Sequence, residues 1–193
     1  QGKLTKELAA QIESAQTMVA VEDLYLPYRP KRRTRASMAK EKGLEPLADL
    51  IALQLLKEPL ETAALPYCLE EKGVVSVDEA ISGAKDILAE RISEHAGYRA
   101  AVRQMTAEKG ILSSEAKDET AQSVYEMYYH FAEPVRKCAG HRVLALNRGE
   151  KEKVLTVRIE APEEEILRYL QKQVIIGHNP QTEPVLLDVI EDR

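Results

Sequence analysis

The sequence lacks the features of exported, membrane-spanning and disulfide-bonded proteins. Its two cysteines, Cys68 and Cys138, are far apart and belong to no CxxC motif, so we expect both to be reduced. No apolar run approaches the roughly 20 residues that a helix needs to span a bilayer. The first residues are polar and lead into a helical pattern, so we expect no signal peptide and a cytoplasmic protein without a membrane partner.

Motifs for catalysis and cofactor binding are also missing. There is no phosphate-binding loop, no GxGxxG and no GxSxG. The four histidines are scattered and none lies in an HExxH or CxxH spacing, so we expect no zinc site. The acidic run 163–165 is typical of the first turn of a solvated helix rather than of a metal or acid–base site. We therefore predict no enzymatic activity and no cofactor.

What the sequence does contain is an uneven distribution of charge. The whole chain has 27 Lys and Arg against 32 Asp and Glu, a net charge of −5. Residues 29–35, here called the basic segment, hold five cations and no acid, which leaves −10 for the rest. Such a concentration of positive charge needs an anionic partner, either within the protein or in another molecule.

Two interpretations of the basic segment follow from its residues. In the first, its cations contact nucleic-acid phosphates, Tyr25 or Tyr28 stacks on a base, and Thr34 with the helix that it begins adds a small anion site. In the second, the segment is an internal strap whose prolines and tyrosines pack on neighbouring helices. Its arginines would then pair with carboxylates of this chain or of other domains. The sequence leaves both interpretations open.

Apolar residues at helical spacing predict a mainly α fold. Thr5, Thr17 and Thr34 are placed to cap helices, whereas Pro27 and Pro30 predict an extended loop after the second helix. Leu55 is expected on the buried stripe of its helix. The further ranges predicted to be helical are 35–42, 46–56, 59–71, 76–96, 98–109 and 120–131, while 111–117 is ambiguous.

After Gly140 the period changes to alternation. Leu144 and Leu146 share one face, as do Leu155 and Val157, which predicts one antiparallel β-hairpin near 142–159. The charges between its strands alternate in sign and indicate a solvated turn. Pro162 then predicts the start of another helix, and 184–193 the first turns of a last one.

Three stretches resemble the bacterial Tex family of transcription accessory proteins. Residues 21–51, 141–159 and, more weakly, 83–94 carry the resemblance; the first of these reads VEDLYLPYRPKRRTRASMAKEKGLEPLADLI. This resemblance implies a large cytoplasmic protein that binds nucleic acid and influences transcription. It also implies a helical N-terminal region, then a YqgF-like domain, helix-hairpin-helix elements and a C-terminal OB-fold RNA-binding domain.

By the order of these stretches, we expect a fragment of the family's N-terminal region. Residues 1–139 would be its helical part, and 140–193 the hairpin and helices that continue into further domains. The expected function is a non-catalytic scaffold and nucleic-acid-associated module, and the alternative is a protein–protein or interdomain docking module. Expected partners are RNA or DNA, mainly through other domains, the transcription machinery and other domains of the same protein. The candidate nucleic-acid-binding residues are Tyr28, Arg29, Lys31, Arg32, Arg33 and Arg35.

Overall fold

The computed structural model describes residues 4–29 and 33–191, and most of them are helical. The helices are α1 (Lys6–Ser14), α2 (Met18–Tyr25), α3 (Arg35–Glu41), α4 (Glu45–Leu53), α5 (Leu60–Ala64), α6 (Val77–Glu94), α7 (Ala96–Lys109), α8 (Gly140–Lys151), α9 (Glu163–Val174) and α10 (Glu183–Glu191). The strands are β1 (Ile111–Ala116), β2 (His130–Pro134) and β3 (Leu155–Glu160). The predicted mainly α fold is confirmed.

The chain forms two compact units. Unit 1 comprises Gln1–Ala100 and Leu167–Arg193, and unit 2 comprises Ala101–Ile166. The boundary predicted between residues 139 and 140 falls inside unit 2, which takes β1 and β2 from one side of it and α8 and β3 from the other. The compact units therefore do not follow the predicted division.

Unit 1 is built around α6. Ala80, Ala84, Ile87 and Leu88 follow each other at helical spacing and are buried, so α6 presents a continuous apolar stripe. Helices α3, α4, α5 and α10 pack against it. A Cβ at Gly83 would lie 2.4 Å from Leu44 Cδ1, so the missing side chain permits this close packing.

The helix caps predicted for unit 1 are confirmed. The hydroxyls of Thr5, Thr17 and Thr34 each accept a hydrogen bond from a backbone N–H of the first turn of α1, α2 and α3. Gly43 ends α3 with a φ of +80°, a conformation that favours glycine.

Two helices of unit 1 are shorter than predicted. Gln54 takes a left-handed conformation and ends α4, so Leu55 is exposed rather than part of the buried stripe. The predicted helix 59–71 is wrong beyond its first turns: α5 stops at Ala64 and is followed by the 3-10 turns Leu65–Tyr67 and Glu70–Lys72. Pro66 lacks the N–H that a continuing α-helix would use.

Unit 2 contains a three-stranded antiparallel sheet in the order β2-β1-β3. Ser113 of β1 lies opposite Ala132 on one side and Arg158 on the other. The core of this unit is mostly aromatic and aliphatic; its buried members are Leu112, Tyr125, Tyr128, Tyr129, Leu146 and Leu155.

The predicted hairpin at 142–159 is wrong. Its first half is helix α8, in which Leu146 and Gly149 are buried while Leu144 is exposed. The burial follows a helical period that the interior glycine conceals in the sequence. A Cβ at Gly149 would lie 2.6 Å from Leu155 Cδ1, so a small residue is needed here. The second half is β3, which pairs with β1 rather than with its predicted neighbour.

The predicted helix 120–131 is also wrong. The segment contains a 3-10 turn, Glu126–Tyr128, and then enters β2 at His130. The ambiguous stretch before it is the central strand β1, which bonds to both other strands. Pairing with distant residues and burial of Tyr128 in the core of unit 2 override the local helical spacing.

Candidate nucleic-acid interface

The chain enters the basic segment through a tight turn rather than an extended loop. Leu26–Tyr28 continues α2 as a 3-10 helix, and the backbone becomes extended only at Arg29. The second α-helix does end before Pro27, as predicted, but the expected extended loop begins only at Arg29, because a proline at the start of a helical turn needs no donor there. The rings of Tyr25, which precedes this turn, and of Tyr28, its last residue, are both exposed.

The described cations of the segment point into solvent. The side chains of Arg33 and Arg35 are 71% and 74% exposed, and Arg29 is exposed as well. Lys31 and Arg32, together with Pro30, lie outside the described residues. The structure therefore brings four of the six predicted site residues to one exposed stretch: Tyr28, Arg29, Arg33 and Arg35.

Two of these arginines have carboxylate neighbours. Arg33 Nη2 lies 3.4 Å from Glu41 Oε2, and Arg35 Nε lies 3.4 Å from Asp86 Oδ1. The Arg33–Glu41 pair is exposed on both sides and contributes only about 0 to 1 kcal/mol, because solvent screens it. Among the described residues Arg29 has no ion-pair partner. These weak contacts leave the guanidinium groups accessible to a stronger anion.

Thr34 forms its hydrogen bonds with other residues of this chain. Its N–H donates to Ser37 Oγ at 2.8 Å, and Ser37 N–H donates to Thr34 Oγ1 at 3.0 Å, which is a capping box. The Thr34 hydroxyl also donates to Glu90 Oε1 at 3.1 Å. A carboxylate of the chain thus already contacts the group that the sequence analysis assigned to an anion site.

The acidic face beneath the segment was missed in the sequence. Asp86 and Glu90 of α6 are only 23% and 14% exposed, and Glu90 Oε2 lies 3.2 Å from Lys40 Nζ. Their spacing of four residues places both on one face of a helix and is the signal that could have found them. Asp86 is therefore a partner within the chain for Arg35, as Glu41 is for Arg33.

A groove of about 490 Å³ lies beside the tight turn, with Leu24 and Tyr28 among its apolar lining residues. Asp23 in its wall is buried and accepts a hydrogen bond from Arg99 Nε at 2.8 Å. Arg91, also in the wall, donates to Asp49 and Glu45. Burial disfavours its charged form, but these two hydrogen bonds outweigh burial and raise the pKa of Arg91 above its ordinary value. The groove is thus bounded by fixed ion pairs.

The same part of the chain is not built around a metal ion, a disulfide or a membrane span, as three features of its described residues indicate. Within residues 4–29 and 33–191 no group of three or more His, Cys, Asp or Glu side chains is placed to hold a metal ion. Cys68 and Cys138 are both free thiols. None of the helices in these ranges has the length and apolar character needed to cross a membrane.

Comparison with known proteins gives a match over most of the chain. Residues 56–182 match a family model described as "Tex central region-like". The chain is 46% identical over its whole length to "Uncharacterized protein YdcI" of Bacillus subtilis, of which it covers 27%. It is 37% identical to "Transcriptional accessory protein Tex" of Neisseria gonorrhoeae, over 83% of this chain and 21% of that protein.

A more distant relative is "S1 RNA-binding domain-containing protein 1" of Homo sapiens, 28% identical over 82% of this chain and 17% of that protein. The chain therefore spans about a quarter or less of the length of these relatives. The family model describes a central region, so the expected placement of the whole chain in an N-terminal region gains no support from it.

Proposed function

The chain belongs to the Tex family, and on that premise we propose that it is a non-catalytic scaffold module of a cytoplasmic transcription accessory protein whose basic segment contacts nucleic-acid phosphates. One relative is named a transcriptional accessory protein and another an S1 RNA-binding domain-containing protein. Their names support transcription and RNA as the setting for this module. The transcription machinery and the other domains of the complete protein are its further proposed partners.

The observation that carries the proposal is the exposure of the arginines. A phosphate contact needs cations that reach solvent and are not fixed in strong pairs. Arg29, Arg33 and Arg35 meet this condition, since their contacts with described residues are long or absent. The exposed ring of Tyr28 lies at the start of the same stretch and offers a stacking surface for a base.

The expected binding is electrostatic and largely independent of sequence. Each arginine that contacts a phosphate releases counterions, and its planar guanidinium suits the phosphate oxygens. For a single strand, the slope of log affinity against log salt changes by about 0.7 per phosphate contact. The acidic remainder of the chain makes binding by this segment weak at physiological salt, so other domains of the protein supply most of the affinity.

The test is a titration of the 193-residue chain with short single-stranded RNA and duplex DNA, followed by fluorescence anisotropy at several salt concentrations. Changing Arg29→Gln and Arg33→Gln together should weaken binding to unrelated sequences equally. The salt slope for RNA should flatten by up to about 1.4, the sum of two single-strand contacts.

A matched control removes the same charge from exposed positions of unit 2, through Arg148→Gln and Lys151→Gln. The control should bind nearly as the unaltered chain does. If both double variants lose affinity equally, net charge rather than the basic segment explains the binding, and the proposal fails.

A second candidate function, docking onto other domains, is favoured by an exposed apolar patch in unit 1. Leu53, Leu55 and Ile176 are exposed and lie on two segments joined through Gln54. The Gln54 amide donates to Val174 O at 2.7 Å, and its oxygen accepts from Ile176 N–H at 3.1 Å. These bonds fix the patch without covering it.

The docking function can be tested by comparing two lengths of the protein. The changes Leu55→Asp and Ile176→Asp should lower the melting temperature of the complete protein and leave that of the 193-residue chain nearly unchanged. Equal effects in both lengths would mean that these side chains stabilise unit 1 alone, contrary to a docking role.

A further inference from the structure

The acidic and basic side chains in the middle of α6 point in different directions. Asp86 and Glu90 are one helical turn apart and face α3, which follows the basic segment. Their basic neighbours in the sequence point elsewhere: Lys85 pairs with α10, and Arg91 pairs with α4. Lys85 and Arg91 therefore point away from the side of α6 that meets α3, where Asp86 and Glu90 lie.

These two carboxylates contact the basic segment and the helix that follows it. Asp86 Oδ1 lies 3.4 Å from Arg35 Nε, and Glu90 Oε2 lies 3.2 Å from Lys40 Nζ. Glu90 Oε1 accepts the hydrogen bond of the Thr34 hydroxyl at 3.1 Å. The carboxylates thus occupy positions beside the same cationic and hydroxyl groups that a phosphate would use.

The two sides of these contacts differ in burial. Asp86 and Glu90 are largely buried, whereas Arg35 is mostly exposed. A carboxylate in such a position is held by its surroundings and needs its partners, because burial without them is costly. An exposed arginine can turn towards another anion. Asp86 is therefore the fixed member of its pair and Arg35 the adaptable one.

We propose that Asp86 and Glu90 compete with nucleic-acid phosphate for Arg35 and Lys40, so that this acidic face of α6 limits how tightly the basic segment binds. The inference rests on the proposed function. A phosphate that approaches Arg35 also approaches the Asp86 carboxylate, well within the roughly 10 Å over which charges interact at 0.1 M salt. Only a ligand with several phosphates in a row outweighs this repulsion, which favours a nucleic-acid strand over a single phosphate.

The test neutralises the acidic face in the 193-residue chain. The double change Asp86→Asn and Glu90→Gln should tighten binding to short single-stranded RNA by about three- to tenfold at low salt, since it removes two like charges from the contact. The gain should shrink as salt rises. Inorganic phosphate, used as a competitor, should displace RNA from the unaltered chain only weakly.

The control variant carries Glu58→Gln and Glu61→Gln, which remove two exposed carboxylates of unit 1 outside α6 and the basic segment. It should gain less than twofold, an effect of net charge alone. Circular dichroism checks that each variant is folded. If the double change prevents folding, Asp86→Asn alone decides, because it leaves the contacts of Glu90 with Lys40 and Thr34 in place.

The outcomes separate this inference from the proposed function. If RNA binds the unaltered chain and Arg29→Gln with Arg33→Gln weakens it, but the acidic-face variant gains no more than the control, only the competition is refuted. If neither the unaltered chain nor the acidic-face variant binds RNA at low salt, both the competition and the phosphate contact are refuted.

Discussion

Replacing Gly83 with alanine should destabilise unit 1, although helix propensity alone favours the change. Alanine is about 1 kcal/mol more favourable than glycine inside a helix. At this position, however, the new Cβ would lie 2.4 Å from Leu44 Cδ1 and 3.2 Å from Ala39 Cβ. Both neighbours are buried in the core, so no solvent-exposed space takes up the displacement.

The magnitude follows from these two opposing terms. Overpacking a core by one methyl group costs about 1 to 3 kcal/mol. After the gain in helix propensity, the free energy of unfolding should fall by about 0 to 2 kcal/mol, which corresponds to a lower melting temperature by up to roughly 8 °C. Urea denaturation followed by circular dichroism measures the change.

Gly140→Ala is the control for this prediction. Among the described residues no atom lies within 4 Å of a Cβ added there, so the same substitution in α8 meets no obstacle. It should be neutral or slightly stabilising. If Gly83→Ala raises the free energy of unfolding as much as Gly140→Ala or more, the close packing of α6 on Leu44 has been misjudged.

Three further predictions follow from single contacts. Gly149→Ala should lower the stability of unit 2 by up to about 2 kcal/mol in urea denaturation, because overpacking against a leucine of β3 outweighs the gain in helix propensity; a higher midpoint would contradict the position of α8. Asp23→Ala should cost about 1 to 3 kcal/mol, since it removes a buried carboxylate that accepts a charged hydrogen bond from the half-exposed Arg99, and Asp23→Asn should recover part of the loss if hydrogen bonding matters as well as charge. The hydrogen bonds from Thr120 lower the pKa of Asp118. The contribution of Asp118 to stability is therefore present above the ordinary carboxyl pKa and is lost as pH falls through the lowered pKa. In the Thr120→Ala variant, NMR titration should show a higher pKa for Asp118.

The helices could be predicted because their signals are local. Thr5, Thr17 and Thr34 mark the starts of helices through contacts with residues three positions away. The left-handed ending of α4 at Gln54 has no such signal, since glutamine rarely takes that conformation. What fixes it is a set of hydrogen bonds to residues more than a hundred positions later, which no local pattern contains.

The sheet could not be predicted either, because its strands also depend on contacts between residues that are far apart in the sequence. β1 pairs with strands that follow it by about 20 and 45 residues, and its own sequence alternates only weakly. In α8 a glycine required by Leu155 interrupts the apolar pattern, so the remaining leucines look like a strand. Non-local packing therefore determines the strands that the sequence did not predict and the segments that it misassigned, α8 and the start of β2.

For the candidate site, the sequence identified the cations but not their neighbours. The concentration of positive charge in residues 29–35 is visible without a structure, and the described members are exposed as a binding segment requires. Asp86 and Glu90 lie about 50 residues further along the chain, and two helices, α4 and α5, come between in the sequence. Only the fold brings them together with Arg35 and Thr34.

Contact between phosphate and the exposed arginines of the basic segment can be observed by NMR of the arginine side chains. The Nε–H signals of the 193-residue chain would be recorded while short single-stranded RNA is added at low salt. If the segment binds phosphate, the signals of Arg29 and Arg33 shift early and saturate together, while that of Arg148 in unit 2 changes little. Saturating binding that leaves Arg29 and Arg33 unshifted, or that shifts Arg148 as much, would contradict that phosphate contact.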